Sequence, residues 1–113
     1  MFDVKHEQQE KIVILSPGGR LDAVAAPELE RKCHELLDDG KKAFLLDLAG
    51  LDFVASAGLR VFLAFAKLVK KADGQLVFCC LRDEVLEVFR ITGFTDIFSV
   101  CASRKEAIDS LQP

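Results

Sequence analysis

The stretch from Leu45 to Phe65, LLDLAGLDFVASAGLRVFLAF, constrains the fold more than any other part of the chain. Ala43 to Leu48 is short, apolar on both faces of a pleat, and bounded by charge and glycine, which is how a strand in the middle of a sheet reads. One short loop carries it straight into a helix beginning at Ser56-Ala57-Gly58. After Asp73-Gly74, Gln75 to Leu81 reads as a second central strand, because Leu, Val, Phe and Cys leave neither of its faces clearly polar. Strand, helix and strand in that order predict a mixed α/β layer.

The flanking segments extend the pattern. Phe2 to Glu7 and Lys11 to Leu15 surround the polar turn Gln8-Gln9-Glu10 and predict an antiparallel hairpin, whose pairing Ser16-Pro17-Gly18-Gly19 is expected to break. Pro27 suits the first turn of a helix. Leu29, Cys33, Leu36 and Leu37 recur at spacings of four, seven and eight, so one stripe of that helix faces the core until Gly40 ends it. Asp83 is expected to cap a helix carrying Val85, Leu86, Val88 and Phe89 that stops near Gly93, and Ile97 to Cys101 reads as a closing strand. Ser103 with Glu106 forms a capping box for a last helix whose apolar stripe is Ala107, Ile108 and Leu111. The order β-β-α-β-α-β-α-β-α predicts one α/β domain over residues 1–113, with a mixed central sheet of four to five strands and four helices.

Composition narrows the function. At 113 residues and 50% hydrophobic content the chain can bury one substantial core. Fifteen Lys and Arg against 18 Asp and Glu give a net charge of -3, with the basic residues scattered, which disfavours nucleic-acid binding. MFDVKHEQQEK has no apolar signal core, and the longest apolar run, Val61 to Ala66, is too short to cross a bilayer, so no membrane role and a cytoplasmic location are expected. Cys33, Cys79, Cys80 and Cys101 lack CxxC spacing and a supporting histidine cluster, so they suggest neither a metal site nor a dithiol redox motif. In a regular strand Cys79 and Cys80 point to opposite faces.

Ser56 has two readings. It can be the N-cap of the helix, a position that Ser favours and where replacement by Ala costs about 1 kcal/mol. It can also be an uncrowded hydroxyl, since Ala55, Ala57 and Gly58 have little or no side chain and leave room for a second protein. Unpaired N–H groups at the positive end of the helix dipole would favour a phosphate there. Along the same helix, Phe62, Phe65 and Val69 cluster on one side and Arg60, Lys67 and Lys71 on the other, with Leu63 and Leu68 on the borders, so some apolar surface is expected near the serine.

DLAGLDFVASAGLRVFL resembles the signature of STAS domains, specifically bacterial anti-sigma factor antagonists, in which a strand ending in Asp-Leu leads through an aromatic residue to a helix start containing Ser-Gly-Leu. Gly19-Arg20-Leu21-Asp22, with Ala26 and Leu29, is similar to the family's turn into its first helix. Phe89, Thr92-Gly93-Phe94 and Phe98 resemble its late segment. The resemblance implies a switch with no cofactor: Ser56 would be phosphorylated by a partner that is both a serine kinase and an anti-sigma factor, the unphosphorylated form would bind that partner, and a serine phosphatase would restore it. The implied contact residues are Asp22, Ala55, Ser56, Ala57, Gly58, Leu59, Arg60 and Leu63. The chain departs from the commonest family pattern at Ala55 and Ala57, where that pattern has Asp before the serine and a second Ser after it.

Two other functions find less support in the residues. An enzyme needs a nucleophile with a nearby base, and Cys33 and His34, adjacent on a helix, diverge by about 100° and form no dyad. A STAS scaffold or small-ligand module, using Gly18-Gly19 as backbone donors to an anion, is the alternative to the switch, although Pro17-Gly18 reads more simply as a turn. Oligomeric state is not fixed by the residues.

Overall fold

The alternating residues at the start of the chain fold as a hairpin in which β1 (Phe2–Gln9) and β2 (Ile12–Leu21) pair antiparallel from Gln9↔Ile12 to Phe2↔Gly19. The structure, a computed structural model, describes residues 1–111. Helix α1 (Ala26–Asp38), with Pro27 in its first turn, returns the chain to β3 (Ala43–Asp47), which lies parallel to the first half of β2. Then follow β4 (Leu51–Val54), α2 (Ser56–Lys71) and β5 (Gln75–Cys79), the last parallel to β3. Helices α3 (Asp83–Ile91) and α4 (Phe94–Ile97) lead to β6 (Ser99–Cys101), parallel to β5, and α5 (Arg104–Leu111) closes the described chain. The sheet runs β1-β2-β3-β5-β6, with β4 beside the far half of β2. It is a mixed sheet in a single α/β domain.

Apolar residues on both pleat faces of β3 and β5 are explained by what covers them. Phe44, Leu46 and Phe78 belong to the core shared with Leu29 and Cys33 of α1, Phe62 and Phe65 of α2, and Phe89 of α3. Leu45, Val77 and Cys79 face the other way, onto Ala107 and Leu111 of α5. Edge-on ring contacts tie the layers together: Phe44 to Phe65 at 5.0 Å between centroids, Phe62 to Phe78 at 5.3 Å, and Phe78 to Phe89 at 5.4 Å. Each such pair adds about 0.5–1.5 kcal/mol beyond its buried area. Helix α2 is thereby held to the sheet along its length.

The structure corrects several expectations. The described residues hold six strands and five helices, against the expected four to five strands and four helices. Leu51–Val54, read from sequence as loop, is a strand parallel to Gly19–Leu21. Ser16 to Gly19 does not break the hairpin. On its far side β2 pairs with β3 as far as Leu15 and with β4 from Gly19 onward, so Pro17 falls where β2 has a ladder on one side only, and a residue without an N–H is tolerated there. Gly19 sits at the register shift with φ 96°, and a Cβ on it would lie 1.9 Å from the Met1 carbonyl oxygen, so the glycine makes a bulge rather than a turn. Ile97 ends the short helix α4, and the last strand starts only at Ser99. Asp83 is the first residue inside α3, and Arg82 holds the cap position. The capping box forms as expected: the Glu106 amide donates to Ser103 Oγ at 3.1 Å, and that hydroxyl meets the Glu106 carboxylate at 3.2 Å.

Candidate functional site

Two loops meet where β2 and β4 end. The Ala55 amide donates to the Leu21 carbonyl at 2.9 Å, which holds Ala55 extended (φ -89°, ψ 170°) as the cap residue of α2. Ala55 has no side-chain oxygen, and the helix start makes no side-chain cap bond. The N-cap reading of Ser56 is therefore corrected, because Ser56 stands one residue inside the helix. Its side chain is exposed. The first intrahelical bond joins the Leu59 amide to the Ala55 carbonyl at 3.1 Å, so the amides before Leu59 have no acceptor within the helix.

Close packing lies directly behind the hydroxyl. Gly58 is buried, and a Cβ on it would stand 2.6 Å from Leu21 Cγ and 3.0 Å from Val54 Cγ2. Only glycine lets the first turn of α2 rest on β2 and β4 at this distance. Ala57 and Leu59 are half-buried against the core, and Arg60 is exposed.

Asp22 lies in the loop after β2, next to the Leu21 carbonyl that holds Ala55. Its Oδ1 accepts from the amides of Val24 at 3.1 Å and Ala25 at 2.9 Å, and its carbonyl accepts from Ala26 at 2.9 Å. These bonds order the turn into α1. Leu63 is not brought to this apex. It lies seven residues along α2 from Ser56, about 10 Å by helical rise. There it lines a groove of about 290 Å³ with Ala66, Leu76, Ile97 and Phe98. Leu68 is exposed farther along the same helix.

Sequence reasoning missed several residues on β2, β4 and the loops that lead to the serine. Val24, in the Asp22 loop, is 88% exposed, and Phe53 on β4 is exposed with the Arg20 guanidinium 4.1 Å from its ring centroid. Arg82 donates to the Ala49 carbonyl at 2.8 Å and pairs with Asp52, fastening the loop before β4 to the start of α3. The Arg20 and Phe53 pairing depends on β4 lying beside the end of β2, so the unrecognised strand hid it. Val24 had a signal in the sequence: an aliphatic residue next to a turn-forming Asp.

The STAS domain family model matches residues 3–107. The chain belongs to the STAS domain family. Among curated proteins this STAS domain is 43% identical, over 89 residues, to BtrV of Bordetella bronchiseptica, described as an anti-sigma factor antagonist; the match covers 79% of this chain and 77% of BtrV. Among solved structures it superposes on an anti-sigma factor antagonist from Mycobacterium paratuberculosis with a TM-score of 0.91 at 22% identity, covering 100% of this chain and 96% of that one. Bacillus SpoIIAA in its phosphorylated form gives a TM-score of 0.76 at 20% identity, covering 97% and 100%. The structural likenesses establish the fold.

Other chemistry in the STAS domain is limited by placement. His34 is exposed while Cys33 is buried, and His6 is exposed on β1. The cavity beside Gly18, about 320 Å³, is lined by Asp3, Lys5 and Asp47, and Asp47 is already paired with Arg104 at 2.9 Å, so these groups leave no excess positive charge to favour an anion. Among the described residues, no helix is long and apolar enough to cross a membrane.

The cysteines differ from expectation. Cys80 lies beyond the end of β5 with φ 63°, so Cys79 and Cys80 do not point to opposite faces, and the Cys80 thiol donates to Cys79 Sγ at 3.3 Å. Burial first, then the adjacent Cys80 and the nearby Asp47 carboxylate, push the Cys79 thiol well above its ordinary value, with Arg104 opposing them.

Proposed function

We propose that this STAS domain is a switchable protein-binding module working in the cytoplasm. The surface around Ser56 docks an anti-sigma factor that is also a serine kinase, phosphorylation of Ser56 releases it, and a serine phosphatase resets the domain. The observation that carries the reading is the exposed Ser56 hydroxyl, set one residue inside α2 and unused as a cap. The name of BtrV, as an anti-sigma factor antagonist, and the existence of SpoIIAA in a phosphorylated form supply the class of partner and the kind of modification. Asp22, Ala55, Ala57, Gly58, Leu59, Arg60 and Leu63 complete the proposed surface. Asp22 acts in it by shaping the loop, and Leu63 contributes only if the partner reaches two turns down α2.

The chemistry follows from the helix start. A phosphate brings about -1.5 to -2 charges and three acceptor oxygens. Within the domain, the free amides of α2 and the helix dipole favour it by about 0.3–1 kcal/mol. Against a partner that has closed over a neutral hydroxyl, the same group adds bulk and a charge that must lose water. A penalty of about 3 kcal/mol weakens binding more than a hundredfold. Affinity changes while the fold stays.

Incubation with the purified cognate kinase and ATP, followed by peptide mass spectrometry, tests the reading. Phosphate is expected on Ser56, and Ser56→Ala is expected to keep kinase binding in the presence of ATP while the parent loses it. Phosphate elsewhere, or regulation intact in Ser56→Ala, refutes the switch and supports the alternative of a STAS scaffold or small-ligand module.

A further inference from the structure

At the opposite side of the sheet from α2, the ends of β3 and β5 gather three donor atoms that the switch does not use. Asp47 and Cys79 form the last rung of the β3 and β5 ladder, so their side chains leave the sheet together. A regular strand would send Cys80 the other way. Instead its φ of 63° turns the chain back and sets its sulfur 3.3 Å from that of Cys79. A left-handed conformation costs a residue with a Cβ roughly 1–2 kcal/mol, so this juxtaposition is held against local preference. One carboxylate oxygen of Asp47 and both sulfurs lie within 4.8 Å of one another.

We infer that Cys79, Cys80 and Asp47 form a binding site for a soft divalent cation of the Zn²⁺ or Cd²⁺ type. Thiolate ligands select such ions over Mg²⁺ or Ca²⁺, which take oxygen donors. Two sulfurs at about 2.3 Å from a tetrahedral zinc stand about 3.8 Å apart, so the sulfurs need to separate by only about half an ångström. Cys79 and Asp47 are buried and fixed, whereas Cys80 is half-buried, which leaves one ligand accessible to an entering ion.

The surroundings suit a divalent charge. Arg104, at the start of α5, holds Asp47 Oδ2 at 2.9 Å, and the Ala49 amide donates to Oδ1 at 3.0 Å, so the carboxylate is already oriented. As the ion binds, the two thiols release their protons to solvent, and the resulting two thiolates, one carboxylate, one guanidinium and the divalent ion sum to zero charge at the inner cluster. Glu7 pairs with Arg104 at 3.2 Å from the outer side. The serine site and this cluster share no residue.

Titration of the full chain with Cd²⁺ in a phosphine-reduced buffer, followed by the ultraviolet sulfur-to-cadmium charge-transfer band, tests the site. One equivalent is expected to saturate the band. Cys80→Gly removes one thiol while relieving the left-handed residue, so it stays folded, and it is expected to weaken binding roughly a hundredfold. Asp47→Asn, which keeps an acceptor for Ala49 but replaces a charged ligand oxygen by a neutral one, is expected to weaken it at least about tenfold. Cys33→Ala, on the other face of the sheet, is expected to leave it unchanged. No saturable band in the parent, or an unchanged affinity in Cys80→Gly, overturns the inference.

Discussion

Gly58→Ala tests the packing that positions the serine. The new Cβ would lie 2.6 Å and 2.7 Å from Leu21 Cγ and Cδ2 and 3.0 Å from Val54 Cγ2. Carbon atoms pack best about 3.5–4.0 Å apart, so the helix start or Leu21 must move by about 1 Å. Leu21 is fully buried and has nowhere to turn. Overpacking of this kind costs about 1–3 kcal/mol, and the Leu21 contact places it in the upper half of that range. Replacing Gly by Ala in a helix returns up to about 1 kcal/mol. A net loss of about 1–2 kcal/mol is expected. Equilibrium urea unfolding followed by circular dichroism reads it as a midpoint shift of about 0.5–1 M at unchanged slope. The double variant with Leu21→Ala, which removes the opposing side chain, should be more stable than the sum of the single losses by at least about 1 kcal/mol. If Gly58→Ala is as stable as the parent, or if the two changes simply add, then Leu21 does not clamp the start of α2.

Ser56→Asp places a negative charge at the first residue of α2 and should leave the domain folded with stability raised by about 0.3–1 kcal/mol, a gain that salt screens; a large loss in urea unfolding would mean that the hydroxyl is structurally needed. Cys33 predicts alkaline behaviour. Burial first, and the Glu30 charge second, push its thiol up to about 12 from an ordinary 9.0. The folded chain keeps this proton where the unfolded chain loses it, so the contribution is complete below about pH 9 and falls by about 1.4 kcal/mol per pH unit as pH rises toward the folded value. Urea midpoints from about pH 8 to about pH 10.5 should therefore drop less steeply in Cys33→Ala than in the parent, and equal slopes would refute the assignment.

What the sequence conveyed, and what it withheld, follows the range of the interactions concerned. The paired central strands, α1 with its stop at Gly40, and the Ser103–Glu106 box are written in nearby residues, because each depends on local pattern or local capping. The strand β4 is not. Its four residues are buried only at Leu51 and Val54, so no period-two alternation marks it, and its partner is the end of β2 some thirty residues earlier. The same distant pairing makes Pro17-Gly18-Gly19 part of a bulged strand, whereas local chemistry reads it as a break. The position of Cys80 was equally hidden, since nothing about a cysteine announces a positive φ. At the candidate site, the small residues from Ala55 to Gly58 were legible, but the cap assignment missed by one residue. Ala55 fills the cap position because its amide is held by Leu21, a contact that only the unrecognised β4 brings into place.

That contact also bears on how a charge at Ser56 would act. Behind the serine, the Ala55 amide is bound to β2 and Gly58 is pressed onto Leu21 and Val54, so the backbone on that side has no slack to absorb a new group. In front of it lies solvent, to which Ser56 is exposed. A modification that cannot push inward must change what the outer surface presents. The energy of the added charge is then felt by a docked partner rather than by the sheet. Amide exchange separates the two cases: phosphate on Ser56 should leave protection in β2, β4 and β5 unchanged, and loss of protection in those strands would place the response inside the fold.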